Sequence, residues 1–167
     1  MNVTIYTDGG CSGNPGVGAW AFLILTDNGE IANSGGEMLT TNNRMELQAA
    51  VEALSLNENW NVIHFFTDSQ YLKNGIQEWI KNWKLNGWKT ANKKDVKNRD
   101  LWMMLDKLTA GKNILWNWVK GHSTNEFNIR VDKMCVEKIK TLKKEMDGNG
   151  ISNNLPVGGD EPSLSLF

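Results

Sequence analysis

Two carboxylates follow strand-like segments, at positions where folded proteins often bind ligands. Asp8 follows the β-branched run of residues 3–7, and Asp68 lies near the end of the apolar segment 61–70. In open α/β sheets, ligands bind beyond the carboxyl ends of the strands, so these two acids are candidates for one shared site. Either acid alone could instead begin a turn or cap a helix, as aspartate often does.

Two further acids lie on or beside helix faces that are expected to pack on a sheet. At helical spacing, the apolar neighbours are Ala50, Ala53 and Leu54 for Glu46, and Cys135, Val136, Ile139 and Leu142 for Asp132. Burying a carboxylate is costly unless it is paired or binds a metal, and neither acid has a basic residue one turn away on that face. For Glu46, a favourable place in the first helical turn is an alternative explanation.

Four acids without bases would repel one another, and divalent cations would remove that conflict. A donor set made only of oxygens favours Mg²⁺ or Mn²⁺ over zinc. Two such ions, roughly 4 Å apart, can activate a water and stabilise the leaving oxygen when a phosphodiester is cleaved. We interpret Gly9 and Gly10 as a flexible turn that lets a bulky polyanion approach the backbone beside Asp8.

The elements that must position these acids follow an order of βββαβααβα. Strands are predicted over 2–7, 18–27, 30–40, 61–70 and 113–119, and helices over 42–57, 69–83, 98–109 and 125–144. Asp27-Asn28-Gly29 predicts a hairpin, and Asn43 with Glu46 resembles a capping box. The order predicts an α/β fold with a mixed sheet and helices on its faces.

Three segments carry more detailed expectations. The apolar run at 61–70 is typical of a strand buried on both faces. Leu101, Met104, Leu105 and Leu108 form the apolar stripe of the helix at 98–109. The polar, basic stretch 84–97 is predicted to be a loop or protrusion.

Composition restricts the class of protein. The chain has 167 residues, 40% of them hydrophobic, which fits one domain. Its two cysteines are far apart in sequence, which argues against a disulfide scaffold and fits a reducing compartment. There is no apolar run long enough for a membrane span and no signal-peptide pattern, so we expect a cytoplasmic protein without a membrane partner.

Charge is distributed unevenly along the chain although the net charge is only −1. Residues 73–99 contain eight Lys or Arg against two acids, a local charge of +6, whereas residues 147–167 contain three acids and no base. A local basic patch matters more for nucleic-acid binding than the sum over the chain. The Gly-, Asn-, Ser- and Pro-rich residues 147–167 are predicted to form a flexible acidic tail.

Four segments together resemble the type I ribonucleases H of bacteria, in order over about residues 1–143. They read YTDGGCSGNPGVGAWA, TTNNRMELQAAVEAL, TDSQYLKNGIQEWIKNWKLNGWKTANKKDVKNRDLW and WVKGHSTNEFNIRVD. The resemblance implies the ribonuclease H fold, a five-stranded mixed sheet with three antiparallel strands, then two parallel strands, and flanking helices. It implies a catalytic domain at 1–146 with a basic protrusion at about 79–99, followed by the tail at 147–167.

The resemblance also implies an activity. It is the hydrolysis of the RNA strand of RNA–DNA hybrids with two Mg²⁺ ions, for which Mn²⁺ can substitute, leaving 5′-phosphate and 3′-hydroxyl ends. The expected protein is a monomer. Asp8, Glu46, Asp68 and Asp132 match the metal-binding carboxylates. His122 matches a loop histidine that moves protons and helps the product leave; an ordinary loop histidine is the alternative.

The resemblance implies substrate contacts as well. The matching residues are Cys11, Asn14, Thr41, Asn42, Asn43, Gln70, Trp79, Lys84 and Lys89. Asn14, Asn42 and Gln70 match residues that face the minor groove, where 2′-hydroxyls distinguish RNA from DNA. Thr41 with Asn14 matches a pocket for a phosphate of the DNA strand. In the protrusion we expect Trp83 and Trp88 to be anchors and Trp79 to face the DNA strand.

Two positions depart from the family pattern. Ile129 stands where an acid often follows the asparagine, which bears on metal preference and pH optimum, and Gly10 stands where serine or alanine is common. The last residues, 162–167, read PSLSLF and resemble peptides that dock on the replication sliding clamp; an arm packed on its own domain or a neighbour is the alternative. A hybrid-binding module without catalysis and an integrase-like DNA enzyme of the same fold are the other functions considered.

Overall fold

The sheet has the predicted five strands and topology. The computed structural model describes residues 1–56, 59–120 and 124–148. The strands are β1 (Asn2–Gly13), β2 (Gly16–Thr26), β3 (Gly29–Thr40), β4 (Val62–Thr67) and β5 (Ile114–Trp118). Their order is β3-β2-β1-β4-β5, with antiparallel pairing of β1, β2 and β3 and parallel pairing of β1 with β4 and of β4 with β5. The predicted mixed sheet is therefore confirmed.

Five α-helices flank the sheet in the described part of the chain. They are α1 (Asn42–Ser55), α2 (Gln70–Asn74), α3 (Ile80–Leu85), α4 (Arg99–Thr109) and α5 (Glu126–Gly148), and a π-helical turn (Gly75–Trp79) joins α2 to α3. The larger apolar core lies where α1 packs on the sheet and α4 packs on α1, and a smaller cluster of Tyr6, Leu23 and Val131 lies under α5. None of the described helices is long and apolar enough to cross a membrane.

The predicted turn after Asp8 is wrong. β1 continues through the glycines and pairs with β2 as far as Gly13 opposite Gly16. Only the parallel pairing with β4 stops early, at Tyr6 opposite Phe66. Asp8 therefore lies in a strand, just beyond the end of its parallel pairing, on the same edge as Asp68.

Burial along β4 corrects a second expectation. Ile63, Phe65 and Thr67 are buried, whereas the alternating residues are only partly buried. The strand is covered fully on one face because α5 packs chiefly across β1, β2 and β3. Apolar residues on both faces of β4 therefore do not mean that both faces are buried.

Two helix details also differ from prediction. Thr41, not a capping box at Asn43, caps α1, because its Oγ1 accepts a hydrogen bond from the Arg44 backbone N–H at 3.2 Å. In α4 the predicted stripe residues Leu101 and Leu105 are buried, but Met104 is 46% exposed and Trp102 is buried instead. The Trp102 ring packs where Gly75 has no side chain: a Cβ there would lie 1.9 Å from a ring carbon.

Candidate active site

The four acids predicted to act together lie in one electrostatic cluster. Asp68 and Asp132 both raise the pKa of Asp8, and the Asp8 and Asp132 side chains are hydrogen-bonded to each other. Asp68 likewise raises the pKa of Glu46. The fold thus brings together β1, the end of β4, the first turns of α1 and one turn of α5, as the sequence indicated.

Burial and mutual repulsion disfavour the charged forms of two of these acids. Burial, followed by the charges of Asp68 and Asp132, raises the pKa of Asp8 to about 8, although a hydrogen bond from the Gly9 backbone N–H opposes the shift. Burial raises the pKa of Glu46 to about 7, against the opposing effect of a hydrogen bond from Ser69. Without a bound cation, this cluster holds protons at a pH where isolated carboxyls have lost them.

The donor chemistry of the cluster fits a hard divalent cation. A hydrogen bond between two carboxyl groups requires a proton on one of them, and a cation facing both would take over that neutralising role. Every donor the four side chains offer is a carboxylate oxygen, as Mg²⁺ and Mn²⁺ prefer. As the side chains lie, no three His, Cys, Asp or Glu side chains within 1–56, 59–120 and 124–148 are grouped to hold an ion.

Asp132 differs in environment from the expected buried acid. The residue is exposed, and so is Val136, which was predicted on the face that packs on the sheet. Val131 and Cys135 are the buried residues of this part of α5. The helix is rotated so that Asp132 lies at the rim of its packed face, where it can reach both Asp8 and solvent.

Ser69 is a site residue that sequence reasoning missed. Its buried hydroxyl donates to Glu46 Oε2 at 2.5 Å and accepts from the Leu72 backbone N–H at 3.0 Å. One side chain therefore caps α2 and also fixes the Glu46 carboxylate. A serine directly before a helix was a detectable capping signal, but its bond to Glu46 depends on tertiary structure.

Gly9 and Cys135 support Asp8 from two sides. A Cβ at Gly9 would lie 2.3 Å from the Met45 carbonyl carbon and 2.4 Å from the Glu46 nitrogen, so only glycine lets α1 approach β1 this closely. On the other face, the buried Cys135 Sγ donates to the Asp8 carbonyl oxygen at 3.2 Å. Burial raises the pKa of that thiol, which keeps it protonated as a donor.

Five of the predicted substrate-contact residues lie together around the start of α1. Asn14 Oδ1 accepts from the Asn42 backbone N–H at 3.2 Å, next to the buried cap Thr41. Cys11 Sγ donates to the Thr40 carbonyl at 3.2 Å in the same region. Asn43 follows in the first turn of α1, and Gln70 is exposed at the start of α2.

The basic protrusion stands on an aromatic base. Trp83 is buried and Trp88 is partly buried, as expected of anchors. Trp79 also packs on this base, with its ring 5.6 Å from that of Tyr71 and 5.7 Å from that of Trp83. Its remaining exposed edge lines a shallow pocket of about 170 Å³ whose lining also includes Lys89. Lys84 is exposed and pairs with Asp106 at 3.4 Å.

Of the remaining predicted positions, His122 and the tail cannot be placed, whereas Ile129 can. His122 and residues 149–167 lie outside the described residues, so their assigned roles stay predictions. Ile129 is in the first turn of α5 and is exposed, one turn before Asp132. The position that lacks the expected acid therefore faces solvent beside the acid cluster.

Comparison with known proteins points to one family. The RNase H family model matches residues 1–140. The chain is 50% identical over 141 residues to Ribonuclease H of Francisella philomiragia, a match that covers 84% of this chain and 93% of that protein. It is 52% identical over 137 residues to Ribonuclease H of Ehrlichia ruminantium, covering 82% and 94%.

Solved structures share the fold. A crystal structure of LC9-RNase H1, a type 1 RNase H with the type 2 active-site motif, has a TM-score of 0.73 at 27% identity and covers 84% of this chain and 72% of its own. A foamy viral protease-reverse transcriptase in complex with an RNA/DNA hybrid has a TM-score of 0.71 at 17% identity, covering 83% of this chain and 20% of its own. The second likeness shows the fold alone.

Proposed function

This chain belongs to the RNase H family and is a nuclease, and on that premise we propose that it hydrolyses the RNA strand of RNA–DNA hybrids. The observation that carries the proposal is the cluster of Asp8, Glu46, Asp68 and Asp132. A binding module without catalysis would gain nothing from repelling carboxylates that raise each other's pKa. The basic protrusion supplies the charge that a nucleic-acid substrate requires.

We assign the four acids as ligands of divalent cations, Mg²⁺ or Mn²⁺. When bound, two such ions supply the Lewis acidity that activates a water and stabilises the leaving oxygen, which yields 5′-phosphate and 3′-hydroxyl ends. The chain's own part is to hold the carboxylates in place: Ser69 fixes Glu46, and Cys135 holds the backbone of Asp8. His122 is assigned the movement of protons near the scissile phosphate.

Recognition of the hybrid is assigned to short polar side chains at the start of α1 and α2. Asn42, Asn43 and Gln70, with Cys11 beside them, are candidates for minor-groove contacts, where the 2′-hydroxyls of the RNA strand are displayed. Asn14 and Thr41 form the candidate pocket for a phosphate of the DNA strand. Neither group is long enough to read base edges in a major groove, so we expect selectivity for duplex type and little for sequence.

The protrusion is the second candidate contact to the DNA strand. Trp79 and Lys89 line the same shallow pocket, and Lys84 is exposed on α3 nearby. An aromatic edge beside a cation suits a deoxyribose and its phosphate. Binding through these cations should weaken as salt rises.

Cleavage of labelled duplexes tests this function. A hybrid of about 15 base pairs is compared with RNA–RNA and DNA–DNA duplexes of the same sequence, with and without Mg²⁺. We expect cleavage of the RNA strand of the hybrid alone, and only with the metal. Cleavage of DNA strands would favour the integrase-like alternative.

A single substitution separates binding from catalysis. Asp68→Asn should abolish cleavage while hybrid affinity stays within about threefold of the wild type, since one metal ligand is lost and the substrate surface is kept. Asp27→Asn, in the distant β2–β3 turn, makes the same charge change and should cleave normally. If Asp68→Asn retained substantial turnover, the metal assignment would be wrong.

Residues 162–167 are proposed to dock on a sliding clamp, on their sequence alone. Affinity for the purified clamp should fall at least tenfold when these residues are deleted, and equal affinity with and without them would end that idea. A monomeric state and a cytoplasmic location stay predictions from the sequence.

A further inference from the structure

Asp95 is the only acidic residue in the basic protrusion at 79–99. Its Oδ1 accepts hydrogen bonds from Lys89 Nζ at 2.5 Å and from Arg99 Nη1 at 2.9 Å. One carboxylate therefore engages two cations of the surface that we assign to the DNA strand. Nothing in the proposed mechanism uses this residue.

The protrusion does not depend on these ion pairs for its shape. Backbone hydrogen bonds close its loop, from the Thr90 N–H to the Lys94 carbonyl at 2.8 Å and from the Val96 N–H to the Trp88 carbonyl at 3.1 Å. Val96 is buried and Trp88 packs on the aromatic base. The loop is therefore held at both ends without the Asp95 side chain.

The ion pairs themselves are exposed. The side chains of Lys89, Asp95 and Arg99 are 47%, 61% and 38% exposed. Exposed pairs of this kind contribute little to folding stability because water and salt screen them. The effect of Asp95 must then lie chiefly in where it holds the two cations and in the charge it removes from the surface.

Lys89 connects Asp95 to the substrate surface. It lines the shallow pocket that also includes Trp79 and Trp83. A phosphate entering this pocket must compete with the Asp95 carboxylate for the Lys89 ammonium, and a phosphate near Arg99 meets the same competition. Each cation that stays paired with Asp95 is lost to the phosphates, which reduces the number of counterions that a bound duplex can release.

We propose that Asp95 competes with substrate phosphates for Lys89 and Arg99 and so lowers the affinity of the protrusion for nucleic acid. The inference rests on the proposed function and deepens it, because it names a residue that limits binding to the DNA strand. A duplex held less tightly leaves faster once it is cut. Asp95 therefore favours turnover over affinity.

The test compares Asp95→Asn with the wild type and with Asp27→Asn, which makes the same charge change far from the protrusion. Binding of a hybrid of about 15 base pairs is measured without divalent metal at several salt concentrations. For Asp95→Asn we expect affinity to rise about three- to tenfold at ~100 mM salt. The plot of log affinity against log salt should steepen by about one to two. Asp27→Asn should shift neither quantity appreciably.

Kinetics provide the second measurement. With Mg²⁺, Asp95→Asn should lower KM, slow steady-state turnover and leave the single-turnover cleavage rate unchanged. In a chain that also carries Lys89→Gln and Arg99→Gln, Asp95→Asn should change affinity no more than Asp27→Asn does. Thermal unfolding of each variant establishes that the fold is intact.

The outcomes separate this inference from the proposed function. If the wild type binds and cleaves the hybrid but Asp95→Asn has the affinity of Asp27→Asn, or a lower one with an intact fold, the competition does not exist. If the effect of Asp95→Asn survives removal of both cations, it does not act through them, and the inference is also overturned. If the wild type neither binds nor cleaves the hybrid, the proposed function fails together with it.

Discussion

Gly9→Ala is expected to disable the site through one added carbon. The new Cβ would lie 2.3 Å from the Met45 carbonyl carbon, against 3.4 Å or more in an ordinary contact. Because the clashing atoms belong to the backbone of α1, no side chain can rotate away, and the helix must move about 1 Å from β1. Glu46, on the same turn, moves with it.

The expected losses of folding stability and of cleavage rate follow from that shift of α1. Overpacking of this kind costs about 1–3 kcal/mol of folding stability, which lowers the Tm of a domain this size by about 3–10 °C. A displacement of about 1 Å in catalytic geometry can reduce the rate about 100-fold. The cleavage rate of Gly9→Ala should therefore fall strongly, although most of the protein stays folded.

The assay uses Gly10→Ala as a matched control, because a Cβ at Gly10 meets nothing within 4 Å. Tm is measured by thermal unfolding, and the cleavage step by single turnover at saturating Mg²⁺ and hybrid. We expect a lower Tm for Gly9→Ala and an unchanged Tm for Gly10→Ala. A Gly9→Ala enzyme with wild-type Tm and a cleavage rate within twofold of the wild type would refute the reasoning.

Three further substitutions test the electrostatics and packing of the fold. The pKa of Asp8 is about 8 in the metal-free fold and 3.8 as a reference, so the native state binds the extra proton between these values and its stability falls as pH rises through that window. Asp8→Asn should flatten this decline and raise the Tm at pH 8 by ~5 °C or more, and an equally steep Tm–pH profile would contradict it. Arg44 lowers the pKa of Asp100, so their pairing stabilises the fold above the usual carboxyl pKa and is lost as pH falls through the lowered one. Since Asp100 is 63% exposed, Asp100→Asn should cost only ~0.5–1 kcal/mol in urea unfolding at pH 7, and a loss of the same size at pH 3 would argue against the pair. Gly75→Ala places a Cβ 1.9 Å from the Trp102 ring and should cost about 1–3 kcal/mol in urea, whereas wild-type stability would show that the ring can move.

Local sequence patterns predicted the strands and helices well where short-range preferences determine the structure. The turn Asp27-Asn28-Gly29 predicted the β2–β3 hairpin, and the order of the elements predicted a mixed sheet with helices on its faces. The arrangement of three antiparallel strands followed by two parallel ones was implied by the family resemblance. The glycines after Asp8 were misread because a glycine-rich stretch is compatible with both a turn and a strand. Pairing with β2 decides between them, and that pairing is a tertiary property.

The helix faces show the same limit. Periodicity correctly placed Leu101 and Leu105 in the core of α4, but Met104 is exposed and Trp102 is buried against Gly75 instead. On α5 it correctly placed Cys135 and Leu142 in the core, but Val136 is exposed and Val131 is buried instead. In both helices the predicted stripe is largely correct, and packing against the partner element decides which residues at its edge are buried.

The start of α1 explains why the acid cluster and the substrate surface act together. Asn42 lies at the beginning of this helix and Glu46 lies one turn later. The helix is fixed at three points: the Thr41 cap, the close packing on Gly9 and the hydrogen bond from Ser69 to Glu46. Because one rigid element carries both functions, a shift that relieves strain at one point is transmitted to the other two.

Substitutions at these three points should therefore be strongly non-additive. Once Gly9→Ala has displaced the helix, Ser69 can no longer hold Glu46, so adding Ser69→Ala should cost little further cleavage rate. The single Ser69→Ala change in the unshifted helix should reduce the rate about tenfold or more, since it frees the carboxylate and removes one charge-assisted hydrogen bond. A double variant whose loss equals the sum of the two single losses in free energy would show that the contacts act independently, and the account of α1 as a shared rigid support would then be wrong.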